Sequence, residues 1–115
     1  MHLLKGAKEL LRGNTPTLIL SVLRAGPLHG YGIAREIERL SNQSLELKEG
    51  TLYPVLHSLE RDGWLVSEWT GQADGRRSRV YQLTAEGREE LSKRQAEWHS
   101  FTKAVNQVLS GGENA

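Results

Sequence analysis

The chain contains no cysteine in its 115 residues. Disulfides, thiolate metal sites and cysteine nucleophiles are therefore excluded, and the usage fits a reducing cytoplasm. No apolar run approaches the roughly 20 residues a membrane helix requires. Charge interrupts the N-terminal Met-His-Leu-Leu-Lys-Gly-Ala-Lys-Glu, so no secretory signal is expected there. The formal net charge is only +1, and any nucleic-acid affinity must come from local charge. The usual constellations of enzymes are missing as well. His2, His29, His57 and His99 have no metal-binding spacing. Gly30-Tyr31-Gly32 lacks the further glycine and the lysine of a phosphate loop. Glu60 and Asp62 flank Arg61 at a helix end, a place for solvated charge rather than a shared proton, and no Ser-His-Asp set is suggested by local context. The expectation is a protein that is not an enzyme and uses no metal or cofactor.

What the chain does have is centred on Lys48 to Gly63. Leu52, Leu56 and Leu59 recur at spacings of four and three, which puts them on one face of a helix, while Thr51, Tyr53, Pro54, His57, Ser58 and Arg61 take the remaining surface. Pro54 is tolerable if the helix starts near Glu49 or Gly50, where a missing N–H costs little and Gly50 eases the clash of the ring. Gly63 stops the helix. A short helix with a small, lightly charged outer face, followed at once by strands, reads as a recognition helix.

The flanking segments can be read in order. Leu3, Ala7, Leu10 and Leu11 predict a short amphipathic helix that must dock on something. Asn14-Thr15-Pro16 then reads as a cap and first turn of a second helix, with Leu18, Ile19, Val22 and Leu23 buried and Gly26-Pro27 ending it. Leu28 to Gly32 is a connector with room for a tight turn or a brief extended segment. A further helix is predicted from about Tyr31 to Leu40, with Ile33, Ala34, Ile37 and Leu40 inward; Ser41 to Ser44 breaks it, and Leu45 and Leu47 anchor the turn that follows. Trp64 to Thr70 and Arg79 to Thr84 predict two strands, with either face of the first a candidate for the inside. Between them Gly71 to Ser78 forms a basic hairpin tip. Thr84 is the expected N-cap of one long helix over 85–109, with Glu86 in its first turn. On it Leu91, Trp98 and Val105 lie seven apart, and Phe101 and Val108 fall between, a seam too wide for so small a domain to cover.

The fold class expected is α+β and mostly helical: a winged helix-turn-helix with an added N-terminal helix and a long C-terminal dimerisation helix. Residues 1–84 would form the winged-helix part and 85–110 the dimerisation helix of one structural domain. In such an arrangement a helix enters the major groove and the wing touches the backbone nearby. Lys48, Thr51, Tyr53, Pro54 and His57 are the candidate DNA-facing residues of the helix, and Arg76, Arg77 and Arg79 the candidate phosphate contacts of the wing. Each has a plainer alternative. Tyr53 could close the core edge, His57 could be a solvated helix residue, and the arginine-rich turn could be a solvated loop.

Leu28-His-Gly-Tyr-Gly-Ile33, Gly50-Thr-Leu-Tyr-Pro-Val-Leu-His-Ser-Leu-Glu-Arg-Asp-Gly63 and Tyr81-Gln-Leu-Thr-Ala-Glu-Gly87 resemble the PadR-type transcriptional regulators. The resemblance runs from about Thr15 to Leu109. It implies a homodimer joined through the last helix, and repression of nearby genes, often released by a small phenolic or hydrophobic molecule. It matches Thr51, Tyr53 and Pro54 to the DNA-facing motif, Tyr31 to a position near the DNA backbone, and Arg76 and Arg77 to the basic wing. Trp98 falls where some relatives set an aromatic against a ligand, although at a seam position a tryptophan is first an interface anchor. The chain differs from longer members in having a single C-terminal helix. Partners expected are duplex DNA bearing an inverted repeat, a second copy of the chain, and a small-molecule effector, with no membrane. Two other readings stand beside this one: a winged helix used for protein–protein assembly, and a small-molecule-binding dimer without DNA function.

Overall fold

The computed structural model describes residues 7–71 and 78–112. Its helices are α1 (Ala7–Val22), α2 (Gly30–Leu40), α3 (Glu49–Arg61) and α4 (Ala85–Leu109), with a 3₁₀ turn, Leu23–Ala25, closing α1. The strands are β1 (Leu28–His29), β2 (Leu65–Thr70) and β3 (Ser78–Leu83), in the order β1-β3-β2 with both pairings antiparallel. A helix-turn-helix, α2 to α3, thus precedes a hairpin wing, β2 to β3, as expected.

The largest departure lies at the start. Instead of two helices separated at Asn14-Thr15-Pro16, α1 runs straight through Pro16. Asn14 and Thr15 do not cap forward; the Asn14 amide donates to the Leu10 carbonyl at 2.7 Å and the Thr15 hydroxyl to that of Leu11 at 2.8 Å. An internal proline costs about 3 kcal/mol. Leu11, Ile19 and Leu20 are all buried on this helix, and each is worth about 1.5–3 kcal/mol, so burial outweighs the proline. Arg12, whose carbonyl loses its helical donor, is at the surface.

The short connector after α1 is itself structural. Leu28 and His29 pair with Tyr81 and Val80, which makes β1 a third strand. Leu40, expected inward, is exposed. It is the last residue of α2, and Asn42 and Gln43 then turn the chain in the left-handed region with φ of 58° and 65°. Ser41 stabilises that turn, donating to the Glu38 carbonyl and accepting from the Leu45 N–H. Leu47 is buried and Leu45 packs on the core, as expected.

Leu52, Leu56 and Leu59 of α3 meet Ile19, Leu20 and Leu23, with Ile33 and Ile37 of α2, in a single core. α3 starts at Glu49, within the range expected from sequence, which makes Pro54 its sixth residue. The proline is tolerated because Gly50, whose carbonyl it leaves without a helical donor, is open to water. The helix closes with the Gly63 N–H on the Glu60 carbonyl and the Trp64 N–H on that of Leu59, the paired bonds of a Schellman ending. In the sheet Leu65 lies opposite Leu83 and Ser67 opposite Tyr81. Leu65, Tyr81 and Leu83 are buried, which settles the inner face of β2 as the one carrying Leu65, Ser67 and Trp69. The Thr84 side chain accepts from the Gly87 N–H at 2.9 Å, the N-cap expected for α4. The radius of gyration is 16.1 Å, against about 13 Å for a compact chain of this size, because the far half of α4 extends beyond the core.

Candidate nucleic-acid interface

The side of α3 opposite its leucines is a continuous exposed stripe: Lys48 just before the helix, then Thr51, Pro54, His57 and Arg61. Spacings of three and four make successive members of this row neighbours, although the row winds around the helix. Beyond Glu49 in the first turn, this stripe has no carboxylate. Small and polar groups with a cation near each end are what a helix needs to approach base edges and phosphates closely. Arg61 was not among the candidates, although its spacing of four from His57 places it in the same row; its guanidinium donates to Ser58 Oγ at 3.2 Å.

Tyr53 is half-buried at the junction of the two helices, packed against the core. A Cβ on Gly30 would lie only 2.8 Å from its hydroxyl, so the glycine opening α2 is what lets the ring lie there. Nothing in the sequence links these two positions. Burial pushes the Tyr53 phenol above its ordinary value, and the neighbouring Glu49 carboxylate adds to the shift. Tyr31, one residue past Gly30, is exposed and stacks on the His29 ring with centroids 5.5 Å apart. His29 Nδ1 in turn lies 2.8 Å from Ser78 Oγ, at the loop end of β3. The start of α2 therefore touches both the first half of α3, through Tyr53, and the outer end of the wing, through Ser78.

The three wing arginines do not share one situation. Arg76 and Arg77 lie outside the described residues. Arg79 points back toward α3: its Nε donates to Ser67 Oγ at 2.9 Å, a second guanidinium nitrogen is 3.6 Å from Glu60 Oε2, and the group sits 4.7 Å from the centre of the Trp69 ring. Tyr81, buried just below, has its phenol pushed up chiefly by burial, opposed by Arg79 and reinforced by Glu60 and Tyr53.

A second surface lies on α4. Leu91, expected on the dimer seam, is instead a core residue, 2% exposed. It sits on the second turn of α4, where that helix still packs against the rest of the subunit. Further along, Trp98 is 48%, Phe101 60% and Val108 79% exposed, with Val105 half-buried between them. The Trp98 and Phe101 rings lie 6.1 Å apart. Trp98 also borders a groove of about 630 Å³ between α4 and α1, lined on the other side by Leu10, Leu18 and Leu45. Among the described residues no three His, Asp or Glu side chains group in a way that could hold a metal ion, and no helix is long and apolar enough to cross a membrane.

The transcriptional regulator PadR-like family matches residues 19–93 of this chain. A transcriptional regulator of Mycobacterium tuberculosis is 36% identical over 104 residues, spanning 90% of this chain and 91% of its own. Among solved structures, a PadR-family transcriptional regulator from Eggerthella lenta superposes with a TM-score of 0.78 at 33% identity, covering 90% of this chain and 88% of that one. Bacillus subtilis PadR, solved in complex with operator DNA, superposes with a TM-score of 0.66 at 30% identity, over 70% of this chain and 47% of that one.

Proposed function

The chain belongs to the PadR-like family of transcriptional regulators, and from that premise we propose that it is a homodimeric repressor that reads an inverted-repeat operator with α3. The observation that carries this reading is the exposed stripe from Lys48 to Arg61, lined up on one side of a helix whose other side is sealed in the core. The relative solved on operator DNA makes duplex DNA the natural ligand for such a stripe. Thr51 and His57 would face base edges, the Thr51 methyl and Pro54 could meet a thymine methyl, and Lys48 and Tyr31 would approach phosphate oxygens. Arg76 and Arg77 would supply the attraction to the backbone that a net charge of +1 cannot.

Trp98, Phe101, Val105 and Val108 form an apolar row on a helix that outruns its own domain, and a second copy of α4 is the partner that would cover it. Two α3 helices would then lie about 34 Å apart, one turn of DNA. The groove beside Trp98 is of a size to take a small hydrophobic or phenolic effector, which would act by changing the angle between the two wings.

Titration with duplex fragments from around the chain's own gene, at several salt concentrations, tests this function. Binding at low salt by the intact protein is expected. Replacing Arg76 and Arg77 together by alanine should weaken it for every sequence and flatten the log–log salt dependence by up to about one unit for each phosphate that the wing ceases to neutralise. No binding to any duplex at low salt contradicts the reading, and an unchanged slope means that the wing does not touch phosphate.

A further inference from the structure

We propose that Glu60, Ser67 and Arg79 form a latch that fixes the angle of the wing against the recognition helix, so that Glu60 is a positioning residue for operator selection. This rests on the DNA-binding reading above and adds an acidic residue to it. The Ser67 hydroxyl donates to Glu60 Oε2 at 2.6 Å and accepts from Arg79 Nε at 2.9 Å, while the Arg79 guanidinium lies 3.6 Å from the same carboxylate oxygen. The directions are forced. A carboxylate only accepts and a guanidinium only donates, so the one serine proton must point to Glu60. The Glu60 and Arg79 side chains are 28% and 34% exposed, sheltered enough for charge-assisted bonds to hold a geometry.

The position of this cluster gives it its role. Glu60 lies in the last turn of α3, and Ser67, Trp69 and Arg79 share the inner face of the hairpin. Apolar packing of that face ends at Leu65, Tyr81 and Leu83; one step outward the cross-strand pair is Trp69 and Arg79, and Trp69 is exposed. Apolar burial is non-directional, whereas the hydrogen bonds of the latch specify an angle. Pairing with β1 and the Ser78–His29 contact hold the outer wing to the start of α2, and Glu60, Ser67 and Arg79 are the side chains that tie it to α3. Pairing with Arg79 also offsets the Glu60 charge, which explains why a carboxylate is tolerated so near a surface meant for phosphates.

Charge and geometry make opposite forecasts for Glu60→Gln. If only local charge matters, removing one negative charge tightens binding to any DNA and leaves the preference for operator unchanged. If the latch positions the wing, the ratio of operator to random-duplex affinity falls, by about tenfold for the loss of a charge-assisted hydrogen bond. Ser67→Ala breaks the same bridge without changing charge and should lower that ratio similarly, with both variants measured well below their melting temperatures. The operator fragment is first selected from random duplexes by the unaltered protein. A lowered ratio in both variants is the expected result. Ratios unchanged in both, or Glu60→Gln tightening operator and random DNA equally, overturn the latch while leaving the DNA reading intact; failure of the unaltered protein to select any duplex overturns both.

Discussion

A Trp98→Asp chain is expected to run as a monomer in light scattering and to lose at least about a hundredfold in operator affinity. Trp98 lies half exposed beside Phe101, at the rim of the groove where α4 leaves the core. A tryptophan buries about 150–250 Å² when covered, and centrally placed aromatics cost about 2 kcal/mol or more on truncation. Aspartate adds a second penalty, because a carboxylate without a partner in an apolar interface is costly to desolvate. Together these amount to about 4 kcal/mol or more, roughly a thousandfold in the dimer constant. The loss on DNA follows from linkage. The second half-site is met at an effective concentration near the millimolar range while the subunits are joined, and that advantage disappears with the dimer. A dimer that persists in the variant would place the seam elsewhere on the molecule.

Gly87→Ala should be the most damaging small substitution in the fold, costing about 3 kcal/mol. A Cβ built on Gly87 overlaps the carbonyl oxygen of Trp64 and comes within 3.3 Å of Leu83 Cδ2. The carbonyl cannot retreat cheaply. It accepts from the Thr84 N–H at 3.2 Å, and the Trp64 N–H is tied to the Leu59 carbonyl at the end of α3. The Thr84 hydroxyl in turn donates to the Gly63 carbonyl at 2.7 Å while capping α4. One added methyl group therefore presses on the joint where α3, the wing and α4 meet. The melting temperature should fall by roughly 10–20 °C, compared at equal protein concentration because the proposed dimerisation would contribute to stability. A fall of only a degree or two would mean that this joint opens easily.

Periodicity and capping chemistry made most of this architecture legible. Leu52, Leu56 and Leu59 alone oriented α3, and the stripe opposite them follows by elimination. Thr84 marked the start of α4, which spans Ala85–Leu109 as expected. What the sequence did not reveal depended on contacts between distant residues. The proline in α1 is a local signal for a break, and only the burial of Leu11, Ile19 and Leu20 against other elements overrides it. Leu91 fits the heptad spacing of Trp98 and Val105, but spacing cannot tell which turns of a long helix lie over the domain and which extend past it. Arg79 is one of three cations in four residues, and its inward turn requires Ser67 on the neighbouring strand and Glu60 on the helix beneath. The two-residue β1 is too short to show a pattern of its own; it exists because β3 presents an edge to it.

Hydroxyl-radical and methylation footprinting of a selected operator by the intact protein tests the role of α3 most directly. Two equivalent major-groove patches, related by two-fold symmetry and centred about one helical turn apart, are the expected result, with wing protection of the flanking backbone. A single patch, or protection confined to the backbone without any guarded major-groove base, would contradict a dimer that reads DNA through the stripe from Lys48 to Arg61.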